Sequence, residues 1–172
     1  MFKSLLGAIL ILCSGFASAS PEQCKIFNDS QIKVMKYAYS KGKPHDFGWT
    51  LAAISWQESS AGLVLKHPKA DSYGLFGGLL RTVESRLKDE EFARTLPKIP
   101  KTRKQTVFLI QHDWEFASEF ALAELNYWKE RREGNKVLAS YFGGYKSNTP
   151  AARNYAKTIN DKIRFLKREK CI

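Results

Sequence analysis

Residues 49–62 read WTLAAISWQESSAG, an apolar run that ends in a carboxylate and then in small residues. The run predicts a buried helix, and the small residues indicate where that helix ends. Glu58 is therefore expected half sheltered from water at a helix end. Such a carboxyl group keeps its proton to higher pH than a surface glutamate, as a general acid near neutral pH requires. The alternative is an ordinary helix-end glutamate that reaches solvent or a lysine.

The start of the chain has the pattern of an export signal. Lys3 supplies the charged beginning, residues 5–12 form a short apolar stretch, and residues 17–19 read ASA, which is typical of a cleavage site. The apolar stretch is shorter than the roughly 20 residues that a membrane-spanning helix needs. We therefore predict a signal peptide over residues 1–19 and a mature domain over residues 20–172, located in the periplasm or secreted.

The cysteines predict one disulfide. Removal of the signal peptide would also remove Cys13 and leave Cys24 and Cys171 near opposite ends of the mature chain. In an oxidising compartment such a pair most simply forms a disulfide, and two unpaired thiols are the alternative. Neither cysteine has a histidine close by in sequence, and the three histidines are scattered, so we expect no metal and no cofactor.

The charge of the chain favours an anionic partner. Its 28 lysines and arginines outnumber 17 aspartates and glutamates, giving a net charge of +11. Outside the cell, such a protein suits an anionic partner, which could be cell-wall glycan with teichoic or peptide carboxylates, lipopolysaccharide, nucleic acid or an acidic membrane, and the charge does not identify which. The basic residues are spread along the chain, and no zinc-finger spacing or aromatic RNA-binding signature is present, so we expect no nucleic-acid partner.

The hydrophobic pattern predicts a single, mainly α-helical domain without an internal repeat. Apolar residues recur at three- and four-residue spacing, and no useful strand alternation is visible. Asn28 and Pro150 are typical helix-start residues, and Gly42 and Gly134 are typical helix-end residues. The predicted helices run from 29 to 42, from 44 to 58, from 78 to 88, from 106 to 132, from 135 to 140, and from 150 to the region before Cys171, with a long loop from 59 to 78.

Three segments are candidates for carrying chemistry. The first is Glu58-Ser59, the second is residues 71–78, DSYGLFGG, and the third is residues 138–144, LASYFGG. Glycines in the second and third segments let backbone groups approach a ligand closely or adopt positive φ angles. Taken singly, each segment is also compatible with a simple turn or a core aromatic residue.

In order and spacing, these segments resemble the lysozyme-like catalytic domain of the SLT-type lytic transglycosylases, which cleave peptidoglycan. In that family a helix ends in Glu-Ser, a Gly-Leu-Met-Gln loop and a long helix follow, and a Tyr-Asn-Ala-Gly turn precedes a helix with a tyrosine. The resemblance spans roughly residues 30–165. The matching segments are Glu58-Ser59, Gly74-Leu75-Phe76-Gly77, the helix from Ala121 to Trp128, Tyr141-Phe142-Gly143-Gly144, and Tyr155. Gly77 departs from the family's Gln, and Phe142 departs from its Asn.

The resemblance implies cleavage of the β-1,4 bond between N-acetylmuramic acid and N-acetylglucosamine. Glu58 would act first as acid and then as base, while the 6-hydroxyl of the muramic acid attacks and gives a 1,6-anhydro product. Ser59 would contact the reacting sugar or its N-acetyl group, and Tyr141 would orient the Glu58 carboxyl. The remaining substrate-binding residues implied are Gly74, Leu75 and Phe76, which would form the cleft wall, and Tyr155.

Two other functions remain open from the sequence. Asp71 could serve as the base of a water-using muramidase similar to goose-type lysozyme, although an aspartate in such a loop also commonly shapes a turn. A cationic cell-wall-binding protein without catalysis is the other alternative. The expected partners are peptidoglycan glycan strands, with a monomeric protein that serves wall remodelling or a secretion, conjugation or phage machinery.

Overall fold

The computed structural model describes residues 24–172; the predicted signal peptide and Cys13 lie outside this range. Within it the chain is mainly α-helical, as predicted, with one two-stranded antiparallel hairpin and short 3-10 helices at Lys43–His45 and Gly144–Lys146. No helix of the described part is long and apolar enough to cross a membrane. The α-helices are α1 (Asp29–Gly42), α2 (Gly48–Ser59), α3 (Leu80–Arg86), α4 (Glu90–Arg94), α5 (Arg103–His112), α6 (Trp114–Lys129), α7 (Asn135–Gly143) and α8 (Pro150–Arg168), and the strands are β1 (Ser72–Tyr73) and β2 (Gly78–Leu79).

Helix α2 lies at the centre of the main core. It packs against α1 on one side and α8 on another, and it also contacts α6. Its residues 51–55 are all fully buried, because the helix is apolar nearly all round. Helix α1 begins at a capping box in which the side chains of Asn28 and Gln31 each bond the other residue's backbone N–H. The buried position of α2 fixes the end of that helix, where Glu58 lies.

The predicted helix over 106–132 is wrong, because two helices occupy this region. Helix α5 ends at His112 and α6 begins at Trp114. Between them Asp113 has an extended backbone (φ −99°, ψ 100°), and its side chain accepts a hydrogen bond from the Phe116 N–H at 3.0 Å. Aspartate at this position is a favourable N-cap, so it starts a new helix. The apolar spacing continues across the break and hides it in the sequence.

A disulfide joins Cys24 to Cys171, which confirms the predicted pairing. The two cysteines are 147 residues apart, so the bond connects the segment before α1 to the segment after α8. In the chain-entropy model, closing so long a loop stabilises the fold by up to about 5 kcal/mol. The bond therefore ties the segment that leads into α1 to the segment that follows α8.

Candidate active site

The chain turns sharply after α2, and the Ser59 side chain holds this turn. Ser59 is fully buried. Its Oγ lies 2.9 Å from the Ser55 carbonyl oxygen and 3.0 Å from the Leu75 carbonyl oxygen, and it accepts a hydrogen bond from the Gly62 N–H at 2.9 Å. The hydroxyl proton of Ser59 is thus directed to two backbone carbonyls, and the hydroxyl oxygen accepts one backbone N–H. The position of Ser59 thus differs from the predicted sugar contact, because the buried side chain fastens the loop after α2 and is not among the residues that line the cavity containing Glu58.

The glycines of the following loop allow two close backbone approaches. Gly74 has φ +79°, and a β-carbon there would lie 1.9 Å from the Ile110 carbonyl oxygen. Gly77 has φ +65°, and a β-carbon there would lie 2.2 Å from Glu58 Oε2. The loop backbone therefore packs against both α5 and the Glu58 carboxyl. The glutamine that the resembling family has at the position of Gly77 would not fit in this arrangement.

Burial raises the pKa of Glu58 from 4.5 to about 7. The Tyr155 hydroxyl lies near the carboxyl and lowers this pKa by favouring the charged form. The contact between the Tyr155 hydroxyl and the Glu58 carboxyl falls outside ordinary hydrogen-bond geometry, since Tyr155 Oη has no hydrogen-bond partner among the described residues. The negative charge of Glu58 in turn adds to burial in raising the pKa of Tyr155. Glu58 therefore changes protonation state near neutral pH.

Glu58 lines a cavity of about 790 Å³ that is bounded by α2, the hairpin, α3, α6, α7 and α8. Of the predicted site residues, Tyr141 and Tyr155 also line this cavity. Leu75 and Phe76 are buried and lie behind the lining, and Gly74 is likewise absent from it. The structure thus brings Glu58 together with the two tyrosines, while the loop residues 74–76 support the wall from behind.

Tyr141 bonds the loop and not the predicted carboxyl. Its hydroxyl donates a hydrogen bond to the Phe76 carbonyl oxygen at 2.9 Å, which joins α7 to the residue before Gly77. Phe142, the residue after it, lines the cavity and is 55% exposed. The Phe142 ring stacks on the Tyr155 ring with centroids 4.8 Å apart. An open aromatic face therefore lies close to Glu58, at the position where the resembling family has asparagine.

A second carboxylate in the cavity, Glu124 of α6, was not predicted from the sequence. Glu124 is buried and forms an ion pair with Arg86 of α3. It also accepts a hydrogen bond from the Trp128 indole N–H at 3.1 Å. The Arg86 guanidinium stacks 3.6 Å from the centroid of the Tyr127 ring. The signal in the sequence was that Glu124 lies on the apolar face of a helix. A glutamate is almost never fully buried unless it is paired, so this position indicated a partner.

Asp71 lies outside the cavity lining and is held by other groups. One carboxylate oxygen accepts a hydrogen bond from the Tyr73 hydroxyl at 2.6 Å, and the other forms an ion pair with Arg103 at 2.8 Å. Arg103 also binds Glu84 at 2.8 Å, so a small surface network fixes the hairpin to α3 and α5. This position does not suit the role of a catalytic base beside Glu58.

A protein of Enterobacteria phage T4, described as an uncharacterized 20.7 kDa protein in the vs–regB intergenic region, is similar to this chain. The two are 30% identical over 190 residues, which cover all of this chain and 97% of the phage protein. The chain belongs to the family of this phage protein. No family model matches the chain. No solved structure matches it significantly.

The cavity of this family member combines three chemical properties. Glu58 can hold or release a proton near neutral pH. Phe142 offers an aromatic face, and aromatic rings pack well against the apolar faces of sugars and other rings. Arg81 of α3 is exposed and lines the cavity, which adds a positive charge to its edge. The arrangement therefore suits proton transfer to a polar, partly anionic ligand.

Proposed function

We propose that this protein is an exported lytic transglycosylase with a lysozyme-like helical fold, and that Glu58 is its one catalytic acid and base. The observation that carries the proposal is the state of the carboxyl groups in the cavity. Among the described lining residues, Glu58 and Glu124 are the carboxylic acids, and Glu124 is neutralised by Arg86. Glu58 has no such cation, and its pKa of about 7 suits a group that gives and then takes a proton.

The reaction begins with the protonated form of Glu58. Its proton passes to the glycosidic oxygen between N-acetylmuramic acid and N-acetylglucosamine as the bond from C1 of the muramic acid to that oxygen breaks. The 6-hydroxyl oxygen of the same muramic acid then bonds to C1, and its proton returns to the Glu58 carboxylate. The products are a 1,6-anhydromuramic end and a free 4-hydroxyl on the glucosamine. No water is consumed, and Glu58 ends in its starting form.

A hydrolytic reaction is less well supported. Retaining glycosidases need a second carboxylate about 5.5 Å away as nucleophile, and inverting ones need a base at about 6.5–9.5 Å. Glu124 is engaged by Arg86 and by the Trp128 indole, and Asp71 is paired with Arg103 outside the cavity. Substrate-internal attack by the 6-hydroxyl removes the need for either residue. The geometry thus favours the transglycosylase reaction over the muramidase alternative.

The remaining features agree with peptidoglycan as the substrate. A net charge of +11 suits a polymer that carries peptide carboxylates, and the Phe142 ring offers a stacking face for a sugar. The predicted export signal and the disulfide fit an oxidising compartment where the wall is accessible. The similarity to a phage protein supports a phage machinery as the setting, within infection or host lysis.

Digestion of purified sacculi followed by mass spectrometry tests the proposal. The wild-type protein is expected to release fragments with anhydromuramic ends, and Glu58→Gln is expected to lose activity by about 10²-fold or more. Asp71→Asn is the matched carboxyl-to-amide control, and we expect it to keep its activity. Reducing ends that depend on Asp71 would instead support the muramidase. Wall clearing by Glu58→Gln at the wild-type rate would support a non-catalytic cationic protein.

A further inference from the structure

Helix α8 and the residues after it carry a large share of the positive charge of the chain. Residues 150–172 contain seven lysines and arginines against two acids, Asp161 and Glu169, which gives a net charge of +5 out of the +11 of the whole chain. Helix α6, in contrast, has three glutamates and one lysine. The cations are therefore unevenly distributed over the fold, although they are spread along the sequence.

The helical repeat places five of these cations on one side of α8, which we call the basic face. They are all exposed, and they are Arg153, Lys157, Arg164, Lys167 and Arg168. At about 3.6 residues per turn, they lie within an arc of about 100° and extend along about 22 Å of helix. Tyr155, which lines the cavity of Glu58, is buried on the opposite side of the same helix. The basic face is thus a separate surface that points away from the cavity.

The basic face keeps an excess of positive charge. Lys157 and Lys167 form no ion pair with any described residue. Arg164 pairs with Asp161 and Arg168 pairs with Glu169, but the two arginine side chains are 69% and 71% exposed. Water and salt screen such surface pairs, so their arginines remain able to bind another anion. A straight row of exposed cations on a rigid helix therefore suits an extended anionic surface.

An exposed apolar residue lies at the end of α8 and indicates which kind of anionic partner fits. Ile26 is 61% exposed. It lies between Cys24, which is bonded to Cys171 after α8, and Phe27, whose ring packs against Phe165 of α8. A soluble polyanion gains nothing from an apolar side chain. The boundary between lipid headgroups and acyl chains, in contrast, accepts both cations and apolar side chains.

We propose that the basic face of α8, together with Ile26, binds the protein to a membrane surface that contains anionic phospholipids. In this orientation the phosphates of the headgroups contact the cations of α8, and the cavity of Glu58 opens on the side of α8 that faces away from the lipid. The interface lies outside the cavity and goes beyond the proposed reaction, since it concerns where the protein is held and not what it cleaves.

Sedimentation with lipid vesicles tests the inference. The protein is used over residues 20–172, so that the predicted signal peptide does not itself insert into the bilayer. The vesicles contain equal parts of phosphatidylglycerol and phosphatidylcholine, and vesicles of phosphatidylcholine alone are the uncharged comparison. We expect binding to the anionic vesicles at about 0.1 M salt, weaker binding as added salt screens the charges, and no binding to the uncharged vesicles.

A triple variant measures the contribution of the basic face. Lys157→Gln, Arg164→Gln and Lys167→Gln together should weaken binding to the anionic vesicles by about 10²-fold, because each lysine or arginine near an anionic membrane contributes about fivefold. Glutamine has a high helix propensity and all three positions are exposed, so α8 is expected to persist. Lys157→Gln alone should weaken binding about fivefold, which makes the test independent of the folding of the triple variant.

The matched control combines Lys88→Gln, Arg94→Gln and Lys104→Gln, which removes three exposed cations from the region of α3, α4 and α5 and leaves the same net charge. Each triple removes two lysines without an ion pair among the described residues and one arginine paired with an acid of its own helix. The control should weaken vesicle binding by about fivefold or less, because these cations lie away from the basic face.

Equal losses of vesicle affinity in the two triple variants would overturn the inference, because net charge and not the basic face would then decide binding. Failure of the wild-type protein to bind the anionic vesicles would also overturn it. If the protein instead bound soluble polyglutamate or duplex DNA through the same three residues of α8, the face would belong to a polymer and not to a membrane. Absence of anhydro ends from sacculi would overturn the proposed reaction but not this interface.

Discussion

The Glu58 carboxyl group packs directly against the backbone of Gly77. A β-carbon on Gly77 would lie 2.2 Å from Glu58 Oε2 and 2.7 Å from Glu58 Cδ, and the φ angle of +65° already favours glycine. The resembling family has glutamine at the position of Gly77. The change to glycine and the position of the Glu58 carboxyl group therefore depend on each other. A side chain at residue 77 and a carboxyl group in this position exclude each other.

Gly77→Ala is expected to displace the Glu58 carboxyl and reduce activity by about 10²-fold, because small misplacements of a reacting group are that costly. Backbone strain and crowding together should lower the free energy of unfolding by about 3 kcal/mol. Gly134→Ala is the control, since Gly134 also has a positive φ (+52°) but nothing lies within 4 Å of its added β-carbon. It should lose stability and keep its activity per folded molecule. Full activity of folded Gly77→Ala would contradict the prediction.

The two cavity tyrosines should respond differently to the loss of their hydroxyls. Tyr141→Phe removes the hydrogen bond to the Phe76 carbonyl oxygen, so the free energy of unfolding should fall by about 1–3 kcal/mol. Tyr155→Phe removes a hydroxyl without a hydrogen-bond partner, so stability should not fall at pH values well below 7, where Glu58 is protonated. Because this hydroxyl lowers the pKa of Glu58, its loss should move the alkaline limb of the kcat/KM profile to higher pH.

Urea denaturation and pH–rate profiles of both variants measure these effects. Each variant serves as the control for the other, because both replacements remove one phenol hydroxyl from the same cavity. The prediction fails if Tyr155→Phe is the less stable variant, or if its alkaline limb moves to lower pH.

The Arg86–Glu124 pair is expected to be sensitive to the loss of either partner. Its side chains are 16% and 7% exposed, so Arg86→Met leaves a carboxylate in the interior without a cation. Removing one partner of a buried pair typically costs about 3–5 kcal/mol, while exposed pairs contribute about 0–1 kcal/mol. The control is Arg94→Met, since the Arg94–Glu90 pair is 79% and 87% exposed. Urea denaturation measures the free energy of unfolding of both variants. Equal losses for Arg86→Met and Arg94→Met would contradict the prediction.

Much of the fold could be predicted because its signals are local. The Asn28 cap, the Pro150 helix start and the apolar run before Glu58 all depend on neighbouring residues, and the structure has helices there. The break at Asp113 was missed because an N-cap aspartate and an ordinary surface aspartate look alike in a continuous apolar pattern. The short helix α4 was missed as well, since five residues carry too little periodicity.

The site was less predictable because its side chains choose partners far along the chain. Tyr141 bonds a carbonyl 65 residues away, and Arg86 pairs with a glutamate 38 residues away. The sequence indicated Glu58 as a sheltered carboxyl, and burial does raise its pKa. It did not indicate that the Ser59 hydroxyl would bond the loop at Leu75 and that the Ser140 hydroxyl would have no partner among the described residues, since both are serines in helices and differ in tertiary surroundings alone.

The raised pKa of Glu58 links the stability of the protein to pH. At pH values between 4.5 and about 7, the unfolded chain has released the Glu58 proton and the native protein still holds it. The native state binds more protons in this window, so the free energy of unfolding falls as pH rises. Below the window both states are protonated, and above it both are ionised, so the contribution of Glu58 is constant on either side.

Glu58→Gln isolates this effect, because glutamine is neutral at every pH. Relative to this variant, the wild-type protein should lose about 3 kcal/mol of unfolding free energy as pH rises through the window from 4.5 to about 7. The activity should follow the same titration, with kcat/KM falling above about pH 7 as the general acid ionises. Denaturant unfolding of both proteins at about pH 4, 6 and 8 measures the difference. A stability difference that stays constant with pH would show that Glu58 titrates like a surface glutamate and cannot be the acid.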